Sequence, residues 1–277
     1  MMRKMGKVLL RRILLIIICV GIIIGCASFE RFGNPACIPG NWLQGYLSKE
    51  VLPDSSALLP PPPAVGSAAS ALDEEVSKES LALRDTPRWE LAKEDAILNF
   101  PQAEDTFSCA LNAPITEQET PHLFKLLSLI KTDAGYSTNR SKGKYKRLRP
   151  FQINNKPICT PGKEERNFLE KNGSYPSGHA AIGWAWALLL TEISPDQTDA
   201  ILARGFAFGE SRIVCNVHWQ SDVIAGRLMG ASVIARLHAD PTFRSDVEAA
   251  KSELATVRSK GLKPTRDCKA ETEKLVR

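Results

Sequence analysis

The sequence predicts an all-α fold built as a single helical-bundle domain. Helix start signals recur where a threonine or serine precedes a proline, at Thr86-Pro87, Thr120-Pro121 and Ser194-Pro195. Such a pair combines a capping hydroxyl with a φ angle that suits the first helical turn. From Leu72 onward, convincing runs of alternating apolar and polar residues, which would predict half-buried strands, are absent.

Three segments of this domain carry distinct helical patterns. Beyond Pro121, apolar residues recur every three or four positions, which predicts one buried helix face. They are Leu123, Leu126, Leu127 and Ile130. Gly183–Ile193 is almost entirely apolar but too short to cross a bilayer, so we expect a core helix. Val223–His238 is rich in Ala, Gly and Ser, which permits a neighbouring helix to approach closely.

An export signal is predicted over residues 1–26, ahead of the domain. Five basic residues precede an apolar run, Ile13–Ile24, that is short for a membrane span. Two cleavage patterns compete at its end. Ile23-Ile24-Gly25-Cys26 resembles a bacterial lipobox and would leave a lipid anchor at Cys26, whereas Gly25-Cys26-Ala27 fits an ordinary signal. Both predict a periplasmic or secreted protein with no stable membrane span after processing.

Further segments flank the helical domain, which is predicted over residues 71–248. Residues 27–70 form an N-terminal arm, in which the proline run Pro60–Pro63 predicts a stiff strut laid along that domain. Residues 249–277 are a charged C-terminal tail, rich in Lys and Glu, which we expect to fray or to extend as a solvated helix.

The charge balance argues against nucleic acid as a partner. The 277 residues include 36 Lys and Arg against 31 Asp and Glu. Five of the basic residues belong to the export signal, so the rest of the chain carries 31 charges of each sign. A neutral exported chain lacks the basic surface that nucleic-acid binding requires.

The cysteines fit an oxidising compartment. Five of them follow Cys26, namely Cys37, Cys109, Cys159, Cys215 and Cys268. An odd number leaves at least one free or paired outside the chain, and the sequence does not give the pairing. A Cys-x-x-Cys spacing that would indicate zinc is absent, so a buried or disulfide-linked structural role is expected for all five.

The candidate site lies in three separate blocks of the chain. The first runs from Lys142 to Arg149-Pro150, the second is Pro176-Ser177-Gly178-His179, and the third is Ser211-Arg212 with His218 and Asp222. They supply three fixed cations, a backbone exposed by glycine, two imidazoles and one carboxylate. Such a set suits the binding of a phosphate dianion and the transfer of its phosphoryl group to histidine.

The first block predicts two cations that point the same way. Lys142 and Arg149 are seven residues apart, two helical turns, and would leave one helix face together. Pro150 disfavours helical geometry at Arg149, so the element should end there. The other basic residues of this block are interpreted as solvated surface charge. They are Lys144, Lys146 and Arg147.

The second and third blocks predict an anion site beside a histidine. Ser177 can cap the apolar core helix, and Gly178 lets the freed backbone N–H groups approach an anion, with His179 at the mouth. His218 and Asp222 are four residues apart and would be neighbours on a helix that begins near His218. A carboxylate on one ring nitrogen fixes the tautomer and leaves the other nitrogen free to attack.

The three blocks resemble a known pattern. Lys-six residues-Arg-Pro, Pro-Ser-Gly-His and Ser-Arg-five residues-His-three residues-Asp are typical of the type 2 phosphatidic acid phosphatase superfamily. The stretches 172–179 and 217–222 resemble bacterial class A non-specific acid phosphatases, and the likeness runs from Pro60 to about Asp246. It implies the acid phosphatase/vanadium-dependent haloperoxidase fold and a homo-oligomer. The charged segment 162–171 looks idiosyncratic, so substrate preference transfers less safely than chemistry.

Residues and resemblance together predict hydrolysis of small-molecule phosphate monoesters, with no cofactor and no metal. Lys142, Arg149 and Arg212 would clamp the phosphate with the backbone amides near Ser177 and Gly178. His218 would attack phosphorus, while His179 would protonate the departing alcohol and then activate water. One histidine must be neutral and the other protonated, which predicts an acidic to near-neutral optimum. An alcohol in place of water would give phosphotransfer.

Three other functions are compatible with parts of the pattern. Vanadium-dependent haloperoxidases, which share the phosphate site, are usually larger. A membrane lipid phosphatase would need several spans, and only the removable N-terminal run qualifies. A non-catalytic envelope lipoprotein would be expected to have lost a site residue, and all are present.

Overall fold

Every regular element is helical in the part of the chain that the computed structural model describes, residues 43–159 and 162–275. The all-α prediction is therefore confirmed. The described residues belong to one compact unit. The predicted export signal, with Cys26, lies outside them, as does Cys37.

Long helices form the body of the domain, and short ones lie at its turns and edges. The α-helices are α1 (Ser55–Leu58), α2 (Ala68–Ser80), α3 (Pro87–Glu94), α4 (Ser108–Leu111), α5 (Pro121–Ser137), α6 (Asn139–Tyr145), α7 (Pro150–Asn154), α8 (Lys163–Lys171), α9 (Gly178–Ile193), α10 (Thr198–Val214), α11 (Gln220–Leu237), α12 (Pro241–Ser259) and α13 (Cys268–Leu275). Short 3₁₀ turns lie at Leu81–Leu83, Glu104–Phe107 and Pro195–Gln197.

Proline sets the start of several helices, as predicted. α3 begins at Pro87 and α5 at Pro121, and Pro195 begins a 3₁₀ turn that leads into α10. The hydroxyls of Thr86 and Thr120 make no cap hydrogen bond to these helices. The fixed φ of proline, which suits the first helical turn, is therefore the part of the signal that operates here.

Helix α9 is the centre of the core. It packs against α5, α10 and α11, and Ala181, Trp186 and Leu190 on it are fully buried. The Trp186 indole donates to Leu127 O at 2.9 Å, so the polar edge of this large side chain is satisfied inside the core. The predicted core helix is thus present, and it begins earlier than Gly183, at Gly178.

Small residues bring α11 close to α9. A Cβ atom at Gly226 would collide with Ser177 O, and one at Gly230 would collide with Ala181 O. The close approach predicted for this Ala-, Gly- and Ser-rich helix is confirmed. It places the first turn of α11 against the start of α9, where Ser177 N donates to Asp222 O at 2.9 Å.

The segment before α2 lies along the helical domain. The Tyr175 hydroxyl donates to Pro60 O at 2.8 Å, which fixes the proline run beside the residue that precedes Pro176. Closer to the N-terminus, the Asp133 carboxylate of α5 accepts from the backbone N–H of Tyr46 at 3.0 Å and of Leu47 at 3.3 Å. These bonds tie the arm to helices that carry or flank the site.

The C-terminal segment is packed rather than solvated. The expected boundary after residue 248 falls inside α12, whose apolar face buries Ala250, Leu254 and Val257. Beyond it, α13 is held by a disulfide from Cys268 and by buried Glu271. The sequence suggested a tail because this segment is rich in Lys and Glu. Its apolar residues nevertheless recur at helical spacing and form one buried face.

Two disulfides join distant parts of the described chain, Cys109 with Cys268 and Cys159 with Cys215. Structural disulfides form and persist in oxidising compartments, which agrees with export from the cytoplasm. Within residues 43–159 and 162–275, none of the helices has both the length and the apolar character needed to span a bilayer.

Candidate active site

The three sequence blocks meet in one buried region. Arg149 of the first block lies with Nη1 3.0 Å from His218 Nε2 and donates to Val217 O at 2.8 Å. Ser174 N, just before the second block, donates to Arg147 O at 3.0 Å. The Ser177–Asp222 backbone bond joins the second block to the third. The convergence expected from the sequence is therefore present.

Lys142 and Arg149 reach the site from different elements, which corrects one expectation. Helix α6 ends at Tyr145 because Lys146 adopts the left-handed region at φ 45°. Arg149 is extended, with φ −85° and ψ 156°, immediately before Pro150. The extended geometry of Arg149 before Pro150 was predicted correctly, whereas the predicted helix end at Arg149 and the shared helix face for the two cations were wrong. They converge because the turn at Lys146 folds the chain back.

The cations are buried together. Lys142 Nζ donates to Gly173 O at 3.0 Å, and Arg149 Nε donates to Leu169 O at 2.9 Å. Burial lowers the pKa of Arg149 to about 9 and that of Arg212 to about 10. Burial, then the neighbouring Arg149, lowers the pKa of Lys142. Buried like charges oppose one another, so a dianion between them would relieve both repulsion and desolvation.

Arg212 is a buried cation of the site with an unused hydrogen-bond donor. Its side chain is 0% exposed, and its Nε is buried without a hydrogen-bond partner among the described residues. Its Nη1 has a long contact of 3.8 Å to Cys215 Sγ. Because buried guanidinium donors are costly when unmatched, Arg212 is suited to bind an oxyanion.

The second block forms the start of α9, and there is open space beside its backbone. Ser177 is the N-cap of α9, and its Oγ accepts from Ala180 N at 3.2 Å, as predicted. A Cβ atom at Gly178 would meet only Thr138 Oγ1, at 3.7 Å. An anion can therefore approach the first N–H groups of α9, which have no partner within the helix.

His179 has one ring nitrogen fixed by the backbone. Its Nε2 lies 3.0 Å from Ala96 O. A carbonyl oxygen only accepts, so the proton of the neutral ring lies on Nε2 and the lone pair lies on Nδ1. Burial, followed by the charge of Arg212, lowers the pKa of His179 well below its ordinary value. The ring stacks on Phe208.

His218 carries the opposite tautomer. Arginine only donates, so Nε2, which lies 3.0 Å from Arg149 Nη1, is unprotonated. The ring proton then lies on Nδ1, which is 3.4 Å from Asp222 Oδ2. Burial, then Arg149 and Lys142, lower the pKa of His218 well below its ordinary value, so the ring is neutral.

The pairing of His218 with Asp222 does not arise from a shared helix turn. Helix α11 begins at Gln220, two residues after His218. The Asp222 carboxylate turns back to accept from Trp219 N at 2.8 Å, and the same oxygen faces the imidazole. Spacing predicted the right pair, although the helix starts later than the prediction assumed.

The chain is similar in sequence to known enzymes. The PAP2 superfamily model matches residues 123–245. A non-specific acid phosphatase of Providencia stuartii is 41% identical over 251 residues, which cover 88% of this chain and 98% of that protein. This chain belongs to the bacterial non-specific acid phosphatases of the PAP2 superfamily.

Two more bacterial acid phosphatases are similar to this chain in sequence. An acid phosphatase of Zymomonas mobilis is 40% identical over 211 residues, covering 76% of this chain and 79% of that protein. A non-specific acid phosphatase of Salmonella typhimurium is 39% identical over 213 residues, covering 76% and 84%. A crystal structure of a transmembrane PAP2-type phosphatidylglycerolphosphate phosphatase from Bacillus subtilis has 17% identity and a TM-score of 0.43, over 65% of this chain and 87% of that chain.

Sequence reasoning missed three contributions to this acid phosphatase site. The interpretation of Arg147 as solvated charge was wrong, because its side chain is 15% exposed and pairs with Asp222 and Asp73. Asp95 accepts from Ser211 Oγ at 2.5 Å and pairs with Arg204. Ala96 contributes only its carbonyl. The one available signal was the position of Arg147, two residues before Arg149 in a non-helical stretch.

Proposed function

We propose that this acid phosphatase hydrolyses a broad range of small-molecule phosphate monoesters through a phosphohistidine at His218. The observation that carries the proposal is the position of His218 Nε2, 3.0 Å from the Arg149 guanidinium in a cluster of buried cations, which favours the ring tautomer with Nε2 unprotonated. A nucleophilic nitrogen beside a phosphate clamp is what covalent phosphoryl transfer requires. The proposed mechanism assigns every role to a side chain or a backbone amide.

The first step transfers the phosphoryl group to the enzyme. Lys142, Arg149 and Arg212 neutralise the phosphate oxygens, together with the N–H groups at the start of α9. The His218 Nε2 lone pair forms the bond to phosphorus while the bond from phosphorus to the alcohol oxygen breaks. The departing oxygen takes the proton of His179 Nδ1. The imidazolium-like ring that results is stabilised through its Nδ1–H by Asp222.

The second step returns the enzyme to its starting state. His179 is now neutral, and its Nδ1 accepts a proton from water as the water oxygen attacks phosphorus. The P–N bond breaks, its electron pair returns to His218 Nε2, and inorganic phosphate leaves. An alcohol in place of water would accept the phosphoryl group instead, which accounts for the expected phosphotransferase side activity.

The electrostatics of the two histidines predict an acidic optimum. The first step needs His179 protonated, and its lowered pKa means that the protonated fraction grows only as pH falls. His218 must stay neutral, which its own lowered pKa permits well into the acid range. A bound phosphate dianion offsets the arginine charges and therefore raises the pKa of both histidines. Activity should therefore increase from neutral towards acid pH and fall again when His218 is protonated.

Substrate breadth, location and assembly belong to the same proposal. The clamp grips the phosphate, so many leaving groups are tolerated. Two disulfides agree with a periplasmic or secreted enzyme, anchored at Cys26 if the lipobox is used. Family resemblance supports a homo-oligomer. Segment 162–171 borders the site, since Leu169 O accepts from Arg149, and it is where leaving-group preference would be set.

Hydrolysis of p-nitrophenyl phosphate by the purified protein tests the proposal. The His218→Ala variant should lose activity by a factor on the order of 10³ or more while remaining folded. His238, partly exposed and distant in sequence from the three blocks, gives the control His238→Ala. Full activity in His218→Ala would exclude this nucleophile. Halide oxidation dependent on added vanadate, without phosphatase turnover, would instead support the haloperoxidase alternative, and inactivity in both assays would support the non-catalytic lipoprotein.

A further inference from the structure

Arg147 contacts the carboxylate that faces the proposed nucleophile. Its Nη1 donates to Asp222 Oδ1 at 2.7 Å, and Asp222 is 0% exposed. The other carboxylate oxygen, Oδ2, is the one that accepts from Trp219 N and faces His218 Nδ1. Each oxygen of Asp222 therefore has a separate partner, and Arg147 fixes the rotation of the carboxylate.

Arg147 is itself held by a second carboxylate. Its Nη2 donates to Asp73 Oδ2 at 2.8 Å, and Asp73 is 3% exposed on α2. Asp73 also accepts from Ser221 N at 2.8 Å and from Ser221 Oγ at 2.5 Å. Ser221 is adjacent to Asp222 and receives a further bond from Arg147. Asp73, Arg147 and Ser221 therefore form a closed ring of hydrogen bonds. Asp222 is attached to this ring through Arg147.

Negative and positive side chains alternate along this series of contacts. It runs from Asp73 to Arg147, then to Asp222 and finally to the imidazole of His218. Burial favours the neutral form of Asp222 and raises its pKa, and Arg147 is the largest influence against that rise. The other groups that face Asp222 are the cations Lys142 and Arg149 and the Tyr175 phenol. Lys142 and Arg149 are needed for phosphate, so Arg147 is the cation left for Asp222.

We infer that Arg147, held in place by Asp73 and Ser221, is a positioning residue that keeps Asp222 ionised and directed at His218 Nδ1. The inference rests on the proposed function, because it concerns the residue that supports the attacking imidazole. When Nε2 bonds to phosphorus, the ring gains positive charge, and an ionised Asp222 stabilises it. Asp73 lies outside residues 123–245, so this support comes from the N-terminal part of the chain.

A purely structural role for Arg147 would predict a different result. The side chain also joins α2 to the start of α11, so its loss could affect folding alone. Folding defects lower the amount of active enzyme without moving its pH profile. A positioning role lowers the rate of the phosphorylation step and moves the profile, because Asp222 would then bind a proton at higher pH.

The test compares Arg147→Gln with Arg147→Lys and with the control Arg140→Gln. Arg140 lies on α6 and pairs with Asp54 at 2.7 Å, so the control removes a nearby ion pair that does not contact Asp222. For Arg147→Gln we expect kcat to fall about tenfold or more, with KM for p-nitrophenyl phosphate unchanged. The acid limb of its kcat–pH profile should move to higher pH by about 1–3 units. Arg147→Lys should recover part of both effects.

The phosphorylation step is then measured directly. Rapid mixing followed by quenching in alkali, in which a P–N bond survives, gives the rate of phosphohistidine formation. We expect the wild type and Arg140→Gln to form it at equal rates and Arg147→Gln to form it more slowly. If Arg147→Gln does not fold, Asp73→Asn supplies the test, since it leaves the Arg147–Asp222 pair but frees the guanidinium to move.

The outcomes separate this inference from the function on which it rests. A folded Arg147→Gln or Asp73→Asn variant with wild-type phosphorylation rate and pH profile would overturn the positioning role and leave the phosphohistidine mechanism intact. Absence of phosphohistidine in the wild type would overturn the mechanism itself. Equal losses of activity in Arg140→Gln and Arg147→Gln, without a change of profile, would assign Arg147 a structural role only.

Discussion

The disulfide between Cys109 and Cys268 gives a stability prediction that can be worked out numerically. It closes a loop of 159 residues, against 56 for Cys159–Cys215. The chain-entropy relation assigns about 5 kcal/mol to the longer loop and about 4 kcal/mol to the shorter one at 25 °C. Measured losses are commonly about 2–4 kcal/mol, because strain and residual structure intervene.

The perturbation is the double variant Cys109→Ser/Cys268→Ser. The disulfide anchors α13, which is also held by ion pairs from Lys274 to Glu94 and from Arg266 to Glu271. These pairs keep α13 attached in the folded state, so the loss should come mainly from the less constrained unfolded chain. We expect a reduced free energy of unfolding with kcat close to that of the wild type.

Urea unfolding followed by circular dichroism measures the effect. The matched comparison is Cys159→Ser/Cys215→Ser, which opens a shorter loop but lies beside the site through the Arg212–Cys215 contact. That variant should lose less stability and more activity. The reasoning would be refuted if Cys109→Ser/Cys268→Ser unfolded within about 1 kcal/mol of the wild type, or if it lost more activity than the comparison variant.

Four further predictions follow from the site and the core. His179→Ala should slow hydrolysis of alkyl phosphates by about 10²–10⁴-fold but that of p-nitrophenyl phosphate much less, because nitrophenolate leaves without a proton; the ratio of the two kcat values measures this. Asp95→Asn should lower the free energy of unfolding by about 3 kcal/mol in urea, since it removes the nearer of the two carboxylates that pair with buried Arg204 and leaves only Glu271, at 3.4 Å. Gly226→Val should cost about 1–3 kcal/mol in the same assay, because its Cβ meets Ser177 O. The kcat against pH should rise from neutral towards acid pH and be unchanged by a chelator; a neutral-to-alkaline optimum, or loss of activity in EDTA, would contradict the mechanism.

The core and its helices were largely predictable, because their signals are local. Proline before an apolar stretch fixed the starts of α3 and α5, and the apolar run from Gly183 gave α9. The glycines of α11 predicted close helix packing. The structure confirms it, because a Cβ atom added at Gly226 or Gly230 would collide with a backbone oxygen at the start of α9. The C-terminal segment was not predictable in the same way, since the apolar face of α12 is hidden among charged residues.

Contacts between distant residues were less predictable. Lys142 and Arg149 were expected on one helix face, but the left-handed turn at Lys146 depends on where the chain must go next. Arg147 looked like surface charge because its partners, Asp73 and Asp222, are about 75 residues away in either direction. The carbonyl of Ala96 that fixes His179 has no side-chain signature at all.

The sequence by itself determined the helical class and indicated the acid phosphatase family, because residue types, their spacing and apolar periodicity are local properties of the chain. Only the tertiary structure decided which nitrogen of each histidine carries the ring proton, which cation supports Asp222 and how the C-terminus is held. Those features depend on contacts that close long loops. Such contacts form only when whole helices pack together, so they are a property of the whole fold.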